Sequence, residues 1–158
     1  MSWWLRHIGW WPPLFGTGIK VTRLDKDLRA VDVEMRLMRW NKNYMGVHFG
    51  GSLFSMTDPF YMIMLARNLG QGYVVWDKAA SIRYKRPGRG RVRAEFRLSE
   101  ERLTEIRASL EENGRHDARF AVEVKDEEGW IVAEVERLIY CATKDAHEER
   151  KKSRGGAG

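Results

Sequence analysis

Residues 43–60 read NYMGVHFGGSLFSMTDPF, and this stretch decides the fold of the chain. It holds two adjacent glycines, Gly50 and Gly51, and one acid, Asp58, seven residues after the second glycine. From Gly51 to Leu69 the side chains are apolar on nearly every face, which is typical of a buried helix. We therefore predict a long helix over 51–69, with antiparallel strands packed around it.

Alternating apolar and polar residues predict strands on both sides of this helix. Such alternation is typical of half-buried strands, and together with longer extended runs bounded by turns it marks six segments of the chain. The six segments are 19–24, 28–37, 73–85, 91–98, 120–124 and 130–140. Ser99 followed by two acids is typical of a helix start, and Asn113-Gly114 of a helix end. The predicted α+β order is two strands, the buried helix, and four strands with one short surface helix between them.

The composition fits one folded domain. The chain has 158 residues, a length that can bury a core of its own, and we predict a single domain over residues 1–143. Residues 144–158 carry no apolar side chain larger than alanine, which predicts a disordered charged tail. No stretch resembles a membrane span or a signal peptide, and Cys141 is the only cysteine, so we expect a cytoplasmic location. No Cys/His cluster has zinc spacing, and we expect no metal.

The N-terminal segment is rich in tryptophan. On a helix, Trp3, Trp4 and Trp11 would form one stripe, and Pro12-Pro13 would end that helix. Such a stripe could contact a membrane surface. We favour the alternative, in which it packs against the sheet or against a second subunit.

A basic segment lies between residues 83 and 97. It contains seven basic residues against Glu95 alone. The seven are Arg83, Lys85, Arg86, Arg89, Arg91, Arg93 and Arg97. Alternating charges on a strand usually form a solvated face, although a phosphorylated ligand is an alternative. No nucleic acid is expected, because neither interleaved aromatic residues nor a known motif accompanies these charges.

Gly51 and Asp58 could serve catalysis together. The first N–H groups of a helix lack acceptors within it, and glycine lets a ligand approach them. Asp58 would share a helix face with Phe54 and Tyr61, and a partly desolvated carboxylate suits a general base. Asp58 followed by Pro59 is equally typical of a helix start, with Asp58 as the N-cap. Both interpretations hold if the helix is kinked at Pro59.

These spacings resemble those of the hotdog-fold thioesterases, in particular their PaaI-like branch and the DUF4442-type relatives. That family has an asparagine, a His-Gly-Gly six residues on, and an aspartate seven residues after the second glycine. Asn43, Phe49-Gly50-Gly51 and Asp58 reproduce this spacing, with Phe49 at the family's histidine position and His48 one place earlier. The family's strand ending in Arg-Pro-Gly is matched by IRYKRPG at 82–88, and the resemblance covers roughly residues 17–143.

The resemblance implies a hotdog fold, in which an antiparallel sheet wraps around a long central helix, and hydrolysis of an acyl-CoA thioester. The Gly51 N–H would polarise the thioester carbonyl, and Asp58 would act as general base or nucleophile. Asn43 would orient the carbonyl or the water, while His48 and Gly50 are further candidates for catalysis or orientation. No cofactor is implied beyond the coenzyme A moiety of the substrate.

The resemblance also implies binding surfaces and an assembly. The coenzyme A phosphates would lie on Arg83, Lys85, Arg86 and Arg89, and the acyl pocket would include Phe49, Phe54, Tyr61 and Met62. The site would lie between two subunits, so a homodimer is implied and a homotetramer is an option.

Two other functions stay open. One is a non-catalytic binder of acyl-CoA or lipid, in which Phe49 and Pro59 indicate a site that keeps its pocket but has lost catalytic activity. The other is a hydratase or dehydratase acting on enoyl or 3-hydroxyacyl thioesters, suggested by His48-Phe49 followed by glycine.

Overall fold

The computed structural model describes residues 10–155 and has an α+β architecture with one antiparallel sheet. The strands are β1 (Ile19–Leu24), β2 (Ala30–Arg36), β3 (Tyr73–Tyr84), β4 (Arg91–Arg97), β5 (Arg115–Asp126) and β6 (Ile131–Thr143). The helices are α1 (Pro12–Phe15), α2 (Gly50–Ser55), α3 (Phe60–Leu69), α4 (Glu100–Asn113) and α5 (Lys144–Gly155). The α+β prediction and all six predicted strands are confirmed. None of these helices is long and apolar enough to span a membrane.

The sheet runs in the order β1-β2-β4-β5-β6-β3, so β1 and β3 are its edge strands. Its register brings one terminus of every strand to the same end of the sheet. These termini are the start of β1, the end of β2, the start of β4, the end of β5, the start of β6 and the end of β3. Ile19 pairs with Met35 there, and Tyr84 with Ala133. We term this the upper end; it also carries the loop 37–49 that leads into α2.

Helix α3 packs on one face of the sheet, and its aromatic side chains form the core. Tyr61 stacks on Phe120 with ring centroids 4.2 Å apart and meets Phe96 edge to face at 5.2 Å. Met64 and Leu65 on the next turn are fully buried. Because α3 lies over β4 and β5, it fixes where the preceding residues, including Asp58, meet the sheet.

The prediction of one long central helix is not confirmed, because the segment 50–69 forms two helices. Helix α2 ends at Ser55 and α3 begins at Phe60, with Pro59 between them at φ −85°. Proline has no N–H, and its ring clashes with the preceding turn, which costs about 3 kcal/mol inside a helix. The Asp58 side chain does not cap α3, so its N-cap interpretation is wrong.

The predicted disordered tail is wrong over most of its length, since Lys144–Gly155 is helix α5. The helix packs on the other face of the sheet through His147, whose ring meets the edge of Trp76 at 5.0 Å. The Arg150 guanidinium lies 5.3 Å from the Tyr140 ring centre. Composition alone missed this helix because its few contacts are supplied by aromatic residues of distant strands.

The role predicted for Pro12-Pro13 is also wrong, because these residues begin helix α1 and do not end a helix. Proline suits the first helical positions, where an N–H would have no partner in any case. Trp11 is the N-cap residue of α1. Trp3 and Trp4, on which the predicted stripe depended, lie outside the described residues.

Candidate active site

The start of α2 is held against the sheet by backbone hydrogen bonds. The His48 N–H donates to the Gly88 carbonyl at 3.0 Å, and the Phe49 N–H donates to the Asn41 carbonyl at 3.1 Å. Phe49 is the N-cap residue of α2, so the N–H groups of Gly50 and Gly51 have no acceptor within the helix. Two backbone donors are therefore fixed at the upper end of the sheet.

Neighbouring rings explain why both helix-start positions are glycine. A Cβ atom at Gly50 would lie 2.8 Å from the Tyr84 hydroxyl oxygen. A Cβ atom at Gly51 would lie 2.5 Å from Cε1 of the Phe49 ring. Any side chain here would displace one of these rings. The glycines thus allow the rings to pack directly against the backbone amides.

Asp58 is held by a buried arginine that the sequence analysis missed. Nη1 of Arg137, on β6, donates to Asp58 Oδ1 at 2.7 Å and to Asp77 Oδ1 at 3.0 Å. The Arg137 side chain is only 4% exposed, whereas Asp58 is 53% exposed and Asp77 25%. The Asp58 carboxylate is thus anchored from below through one oxygen and open to solvent above.

Arg137 also has unused donors. Its Nε and Nη2 atoms are buried and have no hydrogen-bond partner among the described residues. The guanidinium lies 5.1 Å from the ring centre of Phe54. A groove of about 500 Å³ crosses β3, β5 and β6 at this level, and most of its lining residues, such as Ser81, Arg119 and Glu136, point to the opposite face of the sheet. The guanidinium thus lies between Phe54 and two carboxylates, with two donors left over.

One sequence signal could have revealed Arg137. In β6 the inward positions alternate with outward ones, and Val135 and Ile139, two residues on either side, are buried. An arginine at an inward position of such a strand needs a partner, because buried charges are paired. The partners, Asp58 and Asp77, are distant in sequence, so the pairing itself was not readable.

Asn43 and His48 shape the loop before α2. Asn43 Oδ1 accepts hydrogen bonds from the N–H groups of Met45 at 2.9 Å and Val47 at 3.2 Å. His48 is buried, with Nε2 3.2 Å from the Gly90 carbonyl oxygen, and burial lowers the pKa of His48. The structure therefore does not bring the His48 ring to Asp58.

The four basic residues expected to bind phosphate fall into two groups. Arg83 pairs with Glu136 at 3.0 Å, and Lys85 pairs with Glu134 at 3.1 Å. The guanidinium of Arg86 lies 4.6 Å from the ring centre of Trp130. Neither Arg86 nor Arg89 forms an ion pair with a described residue.

The four residues expected to line an acyl pocket differ in burial. Tyr61 belongs to the closed core, while Phe54 and Met62 are half-buried against it. Phe49 is 55% exposed at the start of α2. The structure thus leaves Phe49 and Phe54 within reach of a ligand and commits Tyr61 to packing.

Residues 10–155 offer little other chemistry. Burial raises the pKa of the Cys141 thiol to about 12, so this side chain is no nucleophile at neutral pH. No group of three or more His, Cys, Asp or Glu side chains in this part of the chain could hold a metal ion. The glycine amides and the Asp58–Arg137–Asp77 cluster are the arrangement best suited to chemistry.

Comparison with known proteins bears on this arrangement. A family model described as Domain of unknown function (DUF4442) matches residues 5–141. The comparison with curated proteins found no significant match.

Solved structures with a similar fold include three from bacteria. One, from Pseudomonas aeruginosa, is described as a protein of unknown function and probable thioesterase; it has a TM-score of 0.74 and 23% identity over 82% of this chain and 86% of that one. A second, of unknown function, is from Chlorobaculum tepidum TLS, with a TM-score of 0.71 and 16% identity over 89% and 93%. The third is a thioesterase from Haemophilus influenzae, with a TM-score of 0.64 and 13% identity over 90% and 93%. At these identities the likeness establishes a shared fold.

Proposed function

The chain belongs to the DUF4442 family and has the hotdog fold, and on this premise we propose that it hydrolyses an acyl-CoA thioester. The observation that carries the proposal is the pairing of free amides at Gly50 and Gly51 with an anchored carboxylate, Asp58, on one helical segment. Descriptions of the Pseudomonas aeruginosa and Haemophilus influenzae proteins as thioesterases support it.

The proposed mechanism assigns one task to each group. The Gly51 N–H polarises the thioester carbonyl and stabilises the oxyanion, and one such donor contributes about 3 to 4 kcal/mol. Asp58 takes a proton from the attacking water, or attacks the carbonyl directly. The thiolate of coenzyme A then leaves without a strong general acid.

Arg137 and Asn43 have supporting tasks in this proposal. Arg137 holds Asp58 Oδ1 and leaves Oδ2 for the water, since no described residue donates to that oxygen. Asn43 Oδ1 is engaged by the loop backbone, so its side-chain NH₂ group is the part that could orient the carbonyl. Both residues would act by fixing geometry.

We further propose that two copies associate through β3 and that coenzyme A lies on Arg86 and Arg89. Strand β3 has an open edge, and its residues 79–81 are small and exposed. These residues also line the groove that crosses β3, β5 and β6, and a second copy joined at this edge would extend that groove. Arg86 and Arg89 are the two predicted phosphate ligands without carboxylate partners.

The test is thiol release from a panel of aryl, short, medium and long acyl-CoAs. For Asp58→Asn we expect a fall of about 10² to 10⁴-fold, the range for a lost general base. Asp77→Asn is the matched control, because it removes the other carboxylate on Arg137, and it should keep most of the activity. Equal rates for wild type and Asp58→Asn in folded protein would remove Asp58 from the mechanism.

A second function is favoured by the position of one ring. Phe49 stands at the family's histidine position, and its ring lies directly against Gly51, where it could screen the amide from a substrate. The protein would then bind acyl-CoA without turning it over. Tight acyl-CoA binding by calorimetry, with no thiol release across the panel, would select this alternative. A gain of thioesterase activity in Phe49→His would support it further. The hydratase alternative finds no support in the buried His48.

A further inference from the structure

Exposed apolar side chains are concentrated at the upper end of the sheet. Trp10 is 71% exposed, Trp40 69%, Met45 76%, and Tyr44 is fully exposed. Within residues 10–155, every large hydrophobic side chain that is exposed lies at this end except Trp76. The aromatic surface, as we name it, consists of Trp10, Trp11, Phe15, Trp40, Tyr44 and Met45.

Some of these exposed side chains also line a cavity. A cavity of about 590 Å³ lies between α1, the start of β1 and the loop after β2, and Trp10, Phe15 and Trp40 line it. Such apolar area costs free energy in water, and large exposed patches on a folded protein usually mark an interaction site.

Positive charges predominate around the aromatic surface. Neither residues 10–24 nor residues 35–57 contain an acid. Apart from Arg23, which pairs with Asp25, the exposed cations of the two segments that flank the surface are Lys20, Arg36, Arg39 and Lys42. The acid nearest these segments on β2 is Glu34, which lies opposite Lys20 in the register and pairs with Arg91 at 3.4 Å. The acids of the turn 126–128 lie on the other side of β4.

These cations differ from those on the outer face of the sheet. There, Arg91 pairs with Glu34 at 3.4 Å and Arg83 with Glu136 at 3.0 Å. None of the four cations beside the aromatic surface forms an ion pair with a described residue. The surface thus combines unpaired positive charge with exposed tryptophan, tyrosine and methionine.

We propose that the aromatic surface docks on an anionic lipid bilayer. Tryptophan and tyrosine favour the boundary between headgroups and acyl chains, where the ring is apolar on one side and wet on the other. Lysine and arginine beside them are attracted to anionic headgroups. The absence of acids over both flanking segments removes the repulsion that such a membrane would otherwise meet.

A second copy of the chain fits this surface less well. A two-fold contact places the same patch on both subunits, so the four cations would face their own copies. Like charges brought together in this way disfavour association. The proposed subunit contact through β3 lies at the opposite edge of the sheet from β1, and it leaves the aromatic surface open.

Docking would have a consequence for the site. The start of α2, with Gly50 and Gly51, lies at the same end of the sheet as Trp40 and Tyr44. If the proposed thioesterase function holds, a docked molecule presents its site to acyl chains that reside in the membrane. The docking itself requires no catalysis.

The experiment is sedimentation with sucrose-loaded vesicles of phosphatidylcholine, alone or mixed with phosphatidylglycerol. We expect the protein to bind the mixed vesicles and to be released by salt. Each lost cation should weaken binding about fivefold, so Arg39→Gln with Lys42→Gln should weaken it about 25-fold. The matched control is Lys151→Gln with Lys152→Gln on α5, which removes the same charge elsewhere and should bind like wild type.

A second pair of variants tests the aromatic residues. Trp40→Ser with Tyr44→Ser should abolish binding to mixed vesicles, whereas Trp76→Ser, at the other end of β3, should not. Far-UV circular dichroism checks that each variant is folded. Because the readout is vesicle binding, failure of the thioesterase proposal would not affect it.

Three results would overturn the proposal. The wild-type protein could fail to bind mixed vesicles, or Trp40→Ser with Tyr44→Ser could bind as well as Trp76→Ser. Light scattering could instead show that these variants change the oligomeric mass, which would assign the surface to a second copy. Binding of a single-stranded oligonucleotide that is lost in Trp40→Ser with Tyr44→Ser, without vesicle binding, would assign it to nucleic acid.

Discussion

Arg137 is a buried charge, and its surroundings explain how the fold tolerates it. Removing an arginine from water costs desolvation free energy unless paired carboxylates offset it. Here the Asp58 and Asp77 carboxylates both pair with Arg137. Its two unpartnered nitrogens are harder to explain by stability, because buried donors are normally satisfied. Their position beside the exposed Asp58 carboxylate suits a role toward a ligand.

Replacing Arg137 should affect activity more than stability. Arg137→Met removes the anchor of Asp58, and a misplaced catalytic group can cost about 10²-fold in rate. The two carboxylates are partly exposed and regain water, so we expect the unfolding free energy to fall by about 1 to 3 kcal/mol. Thiol release and urea unfolding measure the two effects.

Arg137→Lys is the matched variant, because it keeps the charge but not the forked geometry. It should be more stable than Arg137→Met and still slower than wild type. Full activity in folded Arg137→Met would show that Asp58 needs no anchor.

His48 should make stability depend on pH. Burial lowers the pKa of His48, and the hydrogen bond to the Gly90 carbonyl only partly offsets this. In the unfolded chain the pKa of histidine is about 6.5, so on acidification the unfolded state takes up a proton first. The contribution of neutral His48 to the free energy of unfolding is therefore complete above a pH of about 6.5. It is lost as the pH falls toward the pKa of His48 in the folded state.

His48→Gln removes this titration. Urea unfolding at several pH values between about 7 and 5 should show a steeper loss of stability for wild type than for His48→Gln. His116→Gln serves as the control at a half-buried histidine on β5. Parallel slopes for wild type and His48→Gln would contradict the expectation.

At the scale of the element, the break between α2 and α3 positions the carboxylate. In one continuous helix the residue at 58 would sit within a regular turn. The interruption at Pro59 instead lets Asp58 project toward β6 while Phe54 packs over the same arginine. The break thus explains why Asp58 meets a strand that lies 79 residues further along the chain.

The N-cap of α4 allows a separate test of helix formation. The Ser99 hydroxyl accepts a hydrogen bond from the Arg102 N–H at 3.2 Å, and Gly114 ends the helix at φ 69°. Ser99→Ala should lower the unfolding free energy by about 1 kcal/mol, because it leaves one N–H without a partner. Thermal and urea unfolding measure the change.

Thr104→Ala is the control for this prediction. Thr104 is exposed in the middle of α4, where alanine has the higher helix propensity, so stability should not fall. A loss in Thr104→Ala as large as that in Ser99→Ala would show that the cap has no special role.

At the scale of the whole molecule, the open edge of β3 governs assembly. The Lys85 N–H donates to the Val132 carbonyl of β6 at 2.9 Å. Since N–H groups along a strand alternate in direction, those of Ala80 and Ile82 point to the open edge. An unpaired row of this kind pairs readily with another strand.

Ala80→Pro should therefore abolish the proposed dimer. It removes an N–H of the open edge and leaves the ladder to β6 intact. Light scattering should show a mass halved relative to wild type, with the far-UV spectrum retained. Ala80→Ser keeps the N–H and should remain dimeric. A dimer that persists in Ala80→Pro would place the subunit contact elsewhere.

Prediction from sequence succeeded where the signal is local. Alternation within β2 and β4 reports one buried and one more exposed face, and extended runs between turn residues mark the longer strands, so each strand could be found. Ser99 and Gly114 mark α4 because capping depends on neighbouring residues. Helix α5 was missed because its contacts to Trp76 and Tyr140 come from strands distant in sequence.

The sequence by itself determined the six strands, helix α4, their order, and the spacing of Gly51 and Asp58, because propensity, capping and turn chemistry act over a few residues. Only the tertiary structure decided that Arg137 anchors Asp58 and that His48 faces away from it. It likewise gathered Trp10, Trp40 and other exposed rings at one end of the sheet. Such juxtapositions follow from strand order and register, which depend on contacts between residues far apart along the chain.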